Sequence, residues 1–272
     1  MKKLFFIAVL AISSVTLRAQ VTPSGSIPYK SGEEIEFSIS FIAKIVPNID
    51  MAKLSVKVTD DVVDGVPSYY ISAFARTTVG RWAFKMDNNY LTWIDKKTHL
   101  PLKAASEIKE GSYIYNNEYL YDWDKMEMQI KANRPGKYEN KMSTLPLEDG
   151  TRDIVSLIYS LRSAELAIPK EGEESYITLV NQESIRHLKY RYAGKDTIKV
   201  KGFGDVKTQH LICEITTREG EPFEDGNELH IWLSDDPNRI PVFVESPIKW
   251  GRIRARLVSY KNLKFPNQSV LQ

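Results

Sequence analysis

Apolar and polar residues alternate along most of the chain, and this alternation predicts β-strands. Residues 35–41 carry isoleucine or phenylalanine at every odd position and glutamate or serine between them, the pattern of a strand with one face in water. Residues 54–58 repeat it, and Asp64-Gly65 marks a tight turn into residues 69–76, so these two strands should form a hairpin. About fourteen such segments occur at the spacing expected of sandwiches and barrels.

One stretch has a helical period instead and predicts a helix at about 151–163. Its apolar residues recur at i, i+3, i+4 and i+7, with two more widening the surface: Ile154, Leu157, Ile158 and Leu161, then Val155 and Tyr159. Thr151 is the predicted N-cap, Asp153 lies in the first turn, and Arg162 is close to the negative end of the helix dipole. So wide an apolar surface indicates a helix surrounded by other elements.

Together these patterns predict an all-β fold, in which a large, strongly curved antiparallel sheet or barrel packs around one central α-helix. We expect residues 33–264 to form this single domain, because all-β folds often reach about 200–250 residues as one unit. The Pro-, Ser- and Gly-rich residues 20–32 predict a flexible lead-in, and residues 265–272 a C-terminal tail.

The first nineteen residues have the pattern of a secretory signal peptide. Two lysines precede the short apolar run 4–12, and small and polar residues lead to a cleavage site after Ala19. The residue directly after that site is not a cysteine that could carry a lipid, and no later apolar run approaches the roughly 18 residues that span a bilayer. We therefore expect an exported protein, in the periplasm, with no transmembrane anchor after cleavage.

Charge and cysteine content narrow the functional classes. Cleavage removes three of the 37 basic residues and none of the 35 acidic ones, so the mature chain is close to neutral. Near-neutrality argues against a nucleic-acid partner. The lone Cys213 lies in an apolar stretch, which predicts a small buried hydrophobe rather than a nucleophile.

An aromatic ladder is the first candidate for ligand binding. All its members have odd numbers, so in a continuous strand their side chains would point to the same face: Tyr113, Tyr115, Tyr119, Tyr121 and Trp123. Flat rings with polar edges stack on sugars or line a cavity for acyl chains, but the same parity would also simply fill the inside of a curved sheet. Asn116-Asn117 could instead be a turn that divides the ladder.

An arginine stripe is the second candidate. Arg252, Arg254 and Arg256 alternate with apolar residues, so one face of a strand carries three guanidinium groups. Such groups could hold the phosphate or carboxylate of an envelope polymer or lipid. Cross-strand ion pairs on a solvated face are the competing explanation.

Catalytic signatures are weak. The four histidines fall in separate segments without metal-ligand spacing, and neither a nucleophile elbow nor a phosphate loop occurs, so we expect neither metal nor cofactor. The carboxylate pairs Asp235-Asp236 and Glu224-Asp225 could in principle serve glycoside hydrolysis. Their turn-like surroundings favour turn chemistry.

Two segments of the chain echo one another. Trp93 precedes Pro101 by eight residues, and Trp232 precedes Pro241 by nine. Each segment predicts a strand, a polar turn and a returning strand that opens with proline, where a missing N–H is tolerated. Two similar halves flanking the helix would explain the echo, and so would chance.

Several segments together resemble a family of bacterial exported proteins, domain of unknown function 3108. They are Asp153 to Arg162, Gly202 to Thr208, Ile231 to Asp236, Arg239 to Val242, and Gly251 with the strand after it. The resemblance implies an all-β fold similar to that of the capsule-associated lipoprotein YmcC. The family has no established activity, so it implies no catalytic residues. This chain lacks the lipid-bearing cysteine of those lipoproteins.

Three functional hypotheses follow. The first is a non-enzymatic binding or accessory role for an envelope polysaccharide or lipid, motivated by the aromatic ladder and the arginine stripe. The second is a carbohydrate-active hydrolase that uses a carboxylate pair. The third is a structural or interaction module without a small-molecule site. The sequence favours a non-enzyme and leaves the oligomeric state open.

Overall fold

The structure is a computed structural model, which describes residues 27–43, 46–78, 85–163, 170–214, 228–248 and 251–271, without the side chains of 43 and 46–49. The predicted signal peptide and the Glu224-Asp225 pair lie outside the described residues. No helix in the part described is both long enough and apolar enough to cross a membrane.

The described residues form fourteen strands and one helix. In chain order they are β1 (Glu34–Ala43), β2 (Val46–Val63), β3 (Val66–Thr77), β4 (Asp87–Asp95), β5 (Pro101–Glu110), β6 (Tyr113–Asp122), β7 (Glu127–Arg134), β8 (Tyr138–Pro146), α1 (Ile154–Arg162), β9 (Glu174–Asn181), β10 (Ser184–Val200), β11 (Gly204–Glu214), β12 (Glu228–Ser234), β13 (Pro241–Ile248) and β14 (Gly251–Lys261). All strands join one antiparallel sheet, ordered β8-β7-β6-β5-β4-β3-β2-β1-β14-β13-β12-β11-β10-β9. The predicted all-β fold is confirmed.

The first predicted hairpin is present where the turn signal placed it. Asp64 and Gly65 have φ angles of 48° and 83°, as a two-residue hairpin turn requires, and Val63 pairs with Val66 across them. The possible turn at Asn116-Asn117 is not formed, because β6 runs through both residues. The aromatic ladder therefore lies on one continuous strand up to Tyr121.

Helix α1 lies inside the curve of the sheet. Leu157 and Leu161 pack with buried residues of β9 to β12, whereas Val155 and Tyr159 pack with buried residues of β2 to β4. Strands β1, β14 and β13 separate these two groups, so the sheet must curve around the helix for both to reach it. The predicted central helix is confirmed, except that Ile154, expected in the buried stripe, is 46% exposed.

The helix begins later than predicted, and its N-cap is Asp153 rather than Thr151. Asp153 Oδ1 accepts hydrogen bonds from the backbone N–H groups of Val155 and Ser156 at 3.0 and 3.1 Å. The Ser156 hydroxyl accepts from the Asp153 N–H in return, which completes a capping box. Thr151 instead closes the preceding turn through its hydroxyl, which donates to the Glu148 carbonyl at 2.8 Å.

A buried ion pair anchors the end of the helix. Arg162 Nη1 and Nη2 lie 2.6 and 2.8 Å from the two carboxylate oxygens of Glu33, and both side chains are fully buried. The Arg162 guanidinium also lies over the rings of Tyr159 and Tyr29, at 4.8 and 5.7 Å from their centroids. The arginine therefore holds the segment before β1 against the helix, a role beyond the predicted dipole interaction.

Both ends of the described chain attach to the domain. Ile27 and Tyr29, within the lead-in expected to be flexible, are buried in the cluster that contains Tyr159. In the expected C-terminal tail, Val270 bridges to Val206 of β11. These contacts extend the packed structure beyond residues 33–264 on both sides.

The two ends of the sheet meet through side chains and not through a strand ladder. Val180 of β9 shares a buried cluster with residues of β6 and β7, and the Tyr119 hydroxyl donates to the Gln182 carbonyl at 2.7 Å. The outer edge of β9 instead bridges to Arg152, the residue before the helix N-cap. The Arg152 N–H donates to the Thr178 carbonyl at 2.9 Å. The sheet is thus strongly curved, but among the described residues no ladder of backbone hydrogen bonds joins its two ends.

The two tryptophan segments have the same local structure, which supports the hypothesis of two similar halves. Each tryptophan pairs with the residue two positions after the proline, and a register shift then pairs the next residue with the proline itself. The equivalent pairs are Trp93↔Lys103 with Trp232↔Phe243, and Ile94↔Pro101 with Leu233↔Pro241. Strands β4 and β5 therefore correspond to β12 and β13.

The correspondence extends to the neighbouring strands. Trp93 Nε1 donates to Asp61 of β2 at 2.7 Å, and Trp232 Nε1 donates to Asp196 of β10 at 3.1 Å. By the same alignment β6 corresponds to β14 and β1 to β9. In the second half, β14 pairs with β1. The equivalent pair in the first half would be β6 with β9, but β7 already pairs with that edge of β6, which explains why β9 does not close the sheet there.

The buried Cys213 gives a first testable prediction. Burial raises the pKa of its thiol to about 12, so the thiolate that reacts with disulfide reagents is scarce near neutral pH. We expect the folded protein to resist labelling by dithiobis(nitrobenzoic acid) at pH 8, and one thiol to react promptly in guanidinium chloride. Rapid labelling without denaturant would contradict the buried placement.

Candidate functional site

The arginine stripe lies on the outer face of β14. Leu257, on the opposite face of the strand, is buried in the core, so Arg252, Arg254 and Arg256 point away from it. Arg252 Nη1 lies 2.9 Å from Glu245 Oε1 on β13, and Arg254 Nε contacts the other oxygen of that carboxylate. The cross-strand explanation thus holds for two of the three arginines.

The third arginine is differently placed. Within the described part of the chain Arg256 has no carboxylate partner, and its guanidinium lies 5.7 Å from the ring centroid of Phe243, directly across on β13. Arg254 lies 5.9 Å from the same ring. Both distances fall within the range of cation–π attraction. Three guanidinium groups and one carboxylate leave this surface positively charged.

The outer face continues from Phe243 as a row of stacked rings. The Trp232 ring lies 5.2 Å from that of Phe243, and the His210 ring stacks on Trp232 at 4.2 Å with an interplanar angle of 6°. We call the residues on these four neighbouring strands the arginine–aromatic row: His210, Trp232, Phe243, Arg254 and Arg256. All five are partly exposed, so both the rings and the guanidinium groups are accessible from outside.

Two histidines that the sequence analysis treated as separate meet at the end of the row. His210 Nε2 and His230 Nδ1 are 2.9 Å apart, and Glu228 lies 3.7 Å beyond His230. Burial lowers the pKa of His210, and the neighbouring His230 lowers it further, so His210 is neutral at neutral pH. Only the register between β11 and β12 could have revealed this contact, although both histidines share a face with Trp232.

The aromatic ladder is largely part of the core. Tyr115, Tyr119 and Tyr121 are at most 8% exposed and pack with residues of β7 and β9, whereas Tyr113 and Trp123 are partly exposed. Burial raises the pKa of the three inner tyrosines. The hydroxyls of Tyr115 and Tyr121 have no hydrogen-bond partner among the described residues. The ladder's predicted ligand contact stays a prediction.

The carboxylate pair Asp235-Asp236 lies among the described residues, and both carboxylates make structural contacts. Asp235 contacts Lys195 Nζ at 2.8 Å and accepts from Gln209 Nε2 at 2.8 Å, and these hydrogen bonds lower its pKa. Asp236 accepts from the Asn238 and Arg239 N–H groups and so closes the turn between β12 and β13. Turn chemistry therefore explains Asp236, as predicted. Within the described ranges no three potential metal ligands cluster together.

Comparison with known proteins identifies the family. The profile of the family described as protein of unknown function (DUF3108) matches residues 36–258. The chain belongs to this family. The match covers every strand of the DUF3108 sheet at least in part, including the four that carry the arginine–aromatic row. Among curated proteins no sequence matches this DUF3108 chain.

Solved structures with a similar fold exist at low sequence identity. One is a β-barrel-like protein of domain of unknown function DUF1849 from Brucella abortus, with 10% identity, a TM-score of 0.57, and coverage of 87% of this chain and 98% of that one. Another is a candidate lipoprotein from Parabacteroides distasonis, with 10% identity, a TM-score of 0.36, and coverage of 86% and 97%. The first likeness shows that the DUF3108 fold is barrel-like.

Proposed function

We propose that this chain is an exported, non-enzymatic protein of the periplasm that binds an acidic envelope polysaccharide along the arginine–aromatic row. The observation that carries the proposal is the placement of Arg256, a guanidinium held against the partly exposed ring of Phe243 and free of any described carboxylate. Guanidinium groups bind carboxylate and phosphate in a bidentate manner, and the outward edges of the neighbouring rings can contact the C–H groups of a sugar.

The shape of the row favours a polymer over an acyl chain. The row crosses four strands on the outside of the sheet, so an extended chain of sugars could contact it along its length. An acyl chain would need an enclosed apolar cavity. The rings that could have lined one, Tyr115, Tyr119 and Tyr121, already pack against side chains of the core. The lipid alternative therefore has less support.

A hydrolase also has less support than a binding protein. Glu245, the carboxylate nearest the arginines, is held by Arg252 and Arg254, and Asp235 and Asp236 are engaged elsewhere. Glycoside hydrolysis needs two carboxyl groups that face each other across the sugar.

Calorimetric titration with polygalacturonate, whose sugars carry carboxylates, tests the proposal. We expect saturable binding that weakens as salt screens the charges, and a loss of about tenfold in affinity, or ~1.4 kcal/mol, in Arg256→Gln combined with Phe243→Ala. Lys189→Gln is the matched control, because it also removes one positive charge from the outer face but Lys189 is already paired with Glu174 and Glu214.

Two results would count against the proposal. Equal weakening by Lys189→Gln would mean that the polymer senses only net charge. Tight binding to phosphatidylglycerol vesicles without binding to polygalacturonate would assign the row to a lipid surface instead.

A further inference from the structure

A second concave surface lies on the outer face of the other half of the sheet. It is a cleft of about 250 Å³ over strands β4 to β7, and Asn140 of β8 also lines it. Two rows of cross-strand neighbours run beneath it, Leu91-Ala105-Glu118-Lys131 and Asn89-Glu107-Asn116-Asn133, and all of these residues except Asn89 line the cleft. The sequence analysis did not single out this surface, because its residues come from five different strands.

Two amide groups in the cleft lack partners. The side-chain oxygens of Asn116 and Asn133 are buried and accept no hydrogen bond from any described residue, and the two residues face each other across β6 and β7. A buried acceptor without a donor is costly, so native structures seldom leave one unless a water or a ligand supplies the donor. If either amide were rotated by half a turn, its NH₂ group would take the place of the oxygen. A hydroxyl can donate to the oxygen or accept from the NH₂ group, so it could satisfy either arrangement.

The charges of the cleft select against an acidic ligand. Glu107 and Glu118 line it with two carboxylates, and Lys131 supplies one positive charge. Glu107 already accepts from Asn89 Nδ2 at 2.8 Å through one oxygen, which leaves the other for a further donor. The lining therefore combines an excess of carboxylates with amide side chains that both donate and accept, and it matches a non-acidic molecule with several hydroxyl groups.

The size and floor of the cleft match a sugar ring. Its volume is just below the range of about 300–1,000 Å³ typical of pockets for drug-sized ligands, so it accommodates a small ligand better than a lipid. Leu91 and Ala105 add an apolar surface, which a sugar ring can cover with its C–H face while its hydroxyls reach the amides.

The internal repeat relates this cleft to the arginine–aromatic row. Aligning Pro101 with Pro241 places Ala105 at the position of Glu245, and the strand pairing then places Glu118 at that of Arg254. Equivalent positions of the two halves thus carry a surface with an excess of carboxylates in one case and a cationic surface in the other.

We propose that the cleft over β4 to β7 is a binding site for a neutral sugar that presents neighbouring hydroxyl groups to Asn116 and Asn133. This inference goes beyond the proposed function and does not depend on it, because no residue of the arginine–aromatic row contributes to the cleft. The two surfaces select for opposite ligand chemistry, and each can be tested while the other is left intact.

Amide chemical shifts of ¹⁵N-labelled protein, titrated with methyl glucoside, N-acetylglucosamine and maltotriose, test this site. We expect at least one sugar to cause saturable shifts in residues 105–107, 116–118 and 131–133, and glycerol at the same concentration to cause none. Asn133→Leu should weaken binding about tenfold. Ala105→Phe, which fills the apolar floor without touching an amide, should weaken it to a similar degree if Asn133→Leu fails to fold.

The remaining outcomes separate the two proposals. The Arg256→Gln, Phe243→Ala variant should bind the neutral sugar normally, and Asn133→Leu should bind polygalacturonate normally. The absence of saturable shifts with all three sugars, or shifts that persist in both cleft variants, would overturn the cleft site and leave the row untouched.

Discussion

Replacing Arg162 with methionine should lower the free energy of unfolding by about 3–5 kcal/mol, the usual cost of breaking a buried ion pair on one side. The change leaves the Glu33 carboxylate fully buried without its bidentate partner, and it removes the cation held between Tyr29 and Tyr159. Urea denaturation followed by tryptophan fluorescence measures the loss directly.

Two further variants show whether the charge is the cause. Arg162→Met combined with Glu33→Leu should recover part of the loss, because no uncompensated charge remains in the interior. Lys53→Met breaks a partly exposed pair with Glu36 and should cost no more than about 1 kcal/mol. A small effect of Arg162→Met, similar to that of Lys53→Met, would contradict the anchoring role.

Replacing Asp153 with alanine should cost about 2 kcal/mol or more, because it removes the N-cap and leaves buried donors unpaired. The side chain accepts from two backbone N–H groups at the start of the helix and from the Thr92 hydroxyl on β4 at 2.9 Å. Asp153→Asn keeps an effective cap and should retain most of the stability.

The pH dependence of the Asp153→Asn variant tests the buried charge. Burial raises the pKa of Asp153 despite its hydrogen bonds, so the folded state binds the proton more tightly than the unfolded state. The stabilisation from this group is therefore complete below its ordinary pKa of 3.8 and is lost as the pH rises through the folded value. The free energy of unfolding of the asparagine variant, relative to that of wild type, should therefore increase as the pH rises. A difference that stays constant with pH would contradict the raised pKa.

Features with a local cause could be predicted from the sequence. The β2–β3 hairpin depends on two turn residues and the alternation beside them, and the helix depends on a period within a few turns. The N-cap was assigned to the wrong residue, because Thr151 and Asp153 are both good caps and the choice depends on the turn that engages Thr151. Local sequence does not contain that information.

The sites were harder to predict because their residues meet across strands. The alternation of side chains along a strand correctly placed three arginines on one face. Only the strand order showed that Phe243 and Trp232 continue that surface. For the same reason, alternation placed the tyrosines of β6 on one face but did not show which face of the sheet the helix covers. The cleft at Asn116 and Asn133 had no local signature, since its lining residues lie on separate strands and meet only in the folded sheet.

Strands β7 and β8 extend the first half of the sheet, and among the described residues no strand pairs with the outer edge of β8. The outward backbone groups of β8 could template another copy of the chain, the usual route from an open ribbon to fibrous aggregates. The strand carries Glu139 and Lys141 and ends at Pro146, features that discourage such pairing. Removing the two charges should therefore promote self-association at high concentration more than it affects folding.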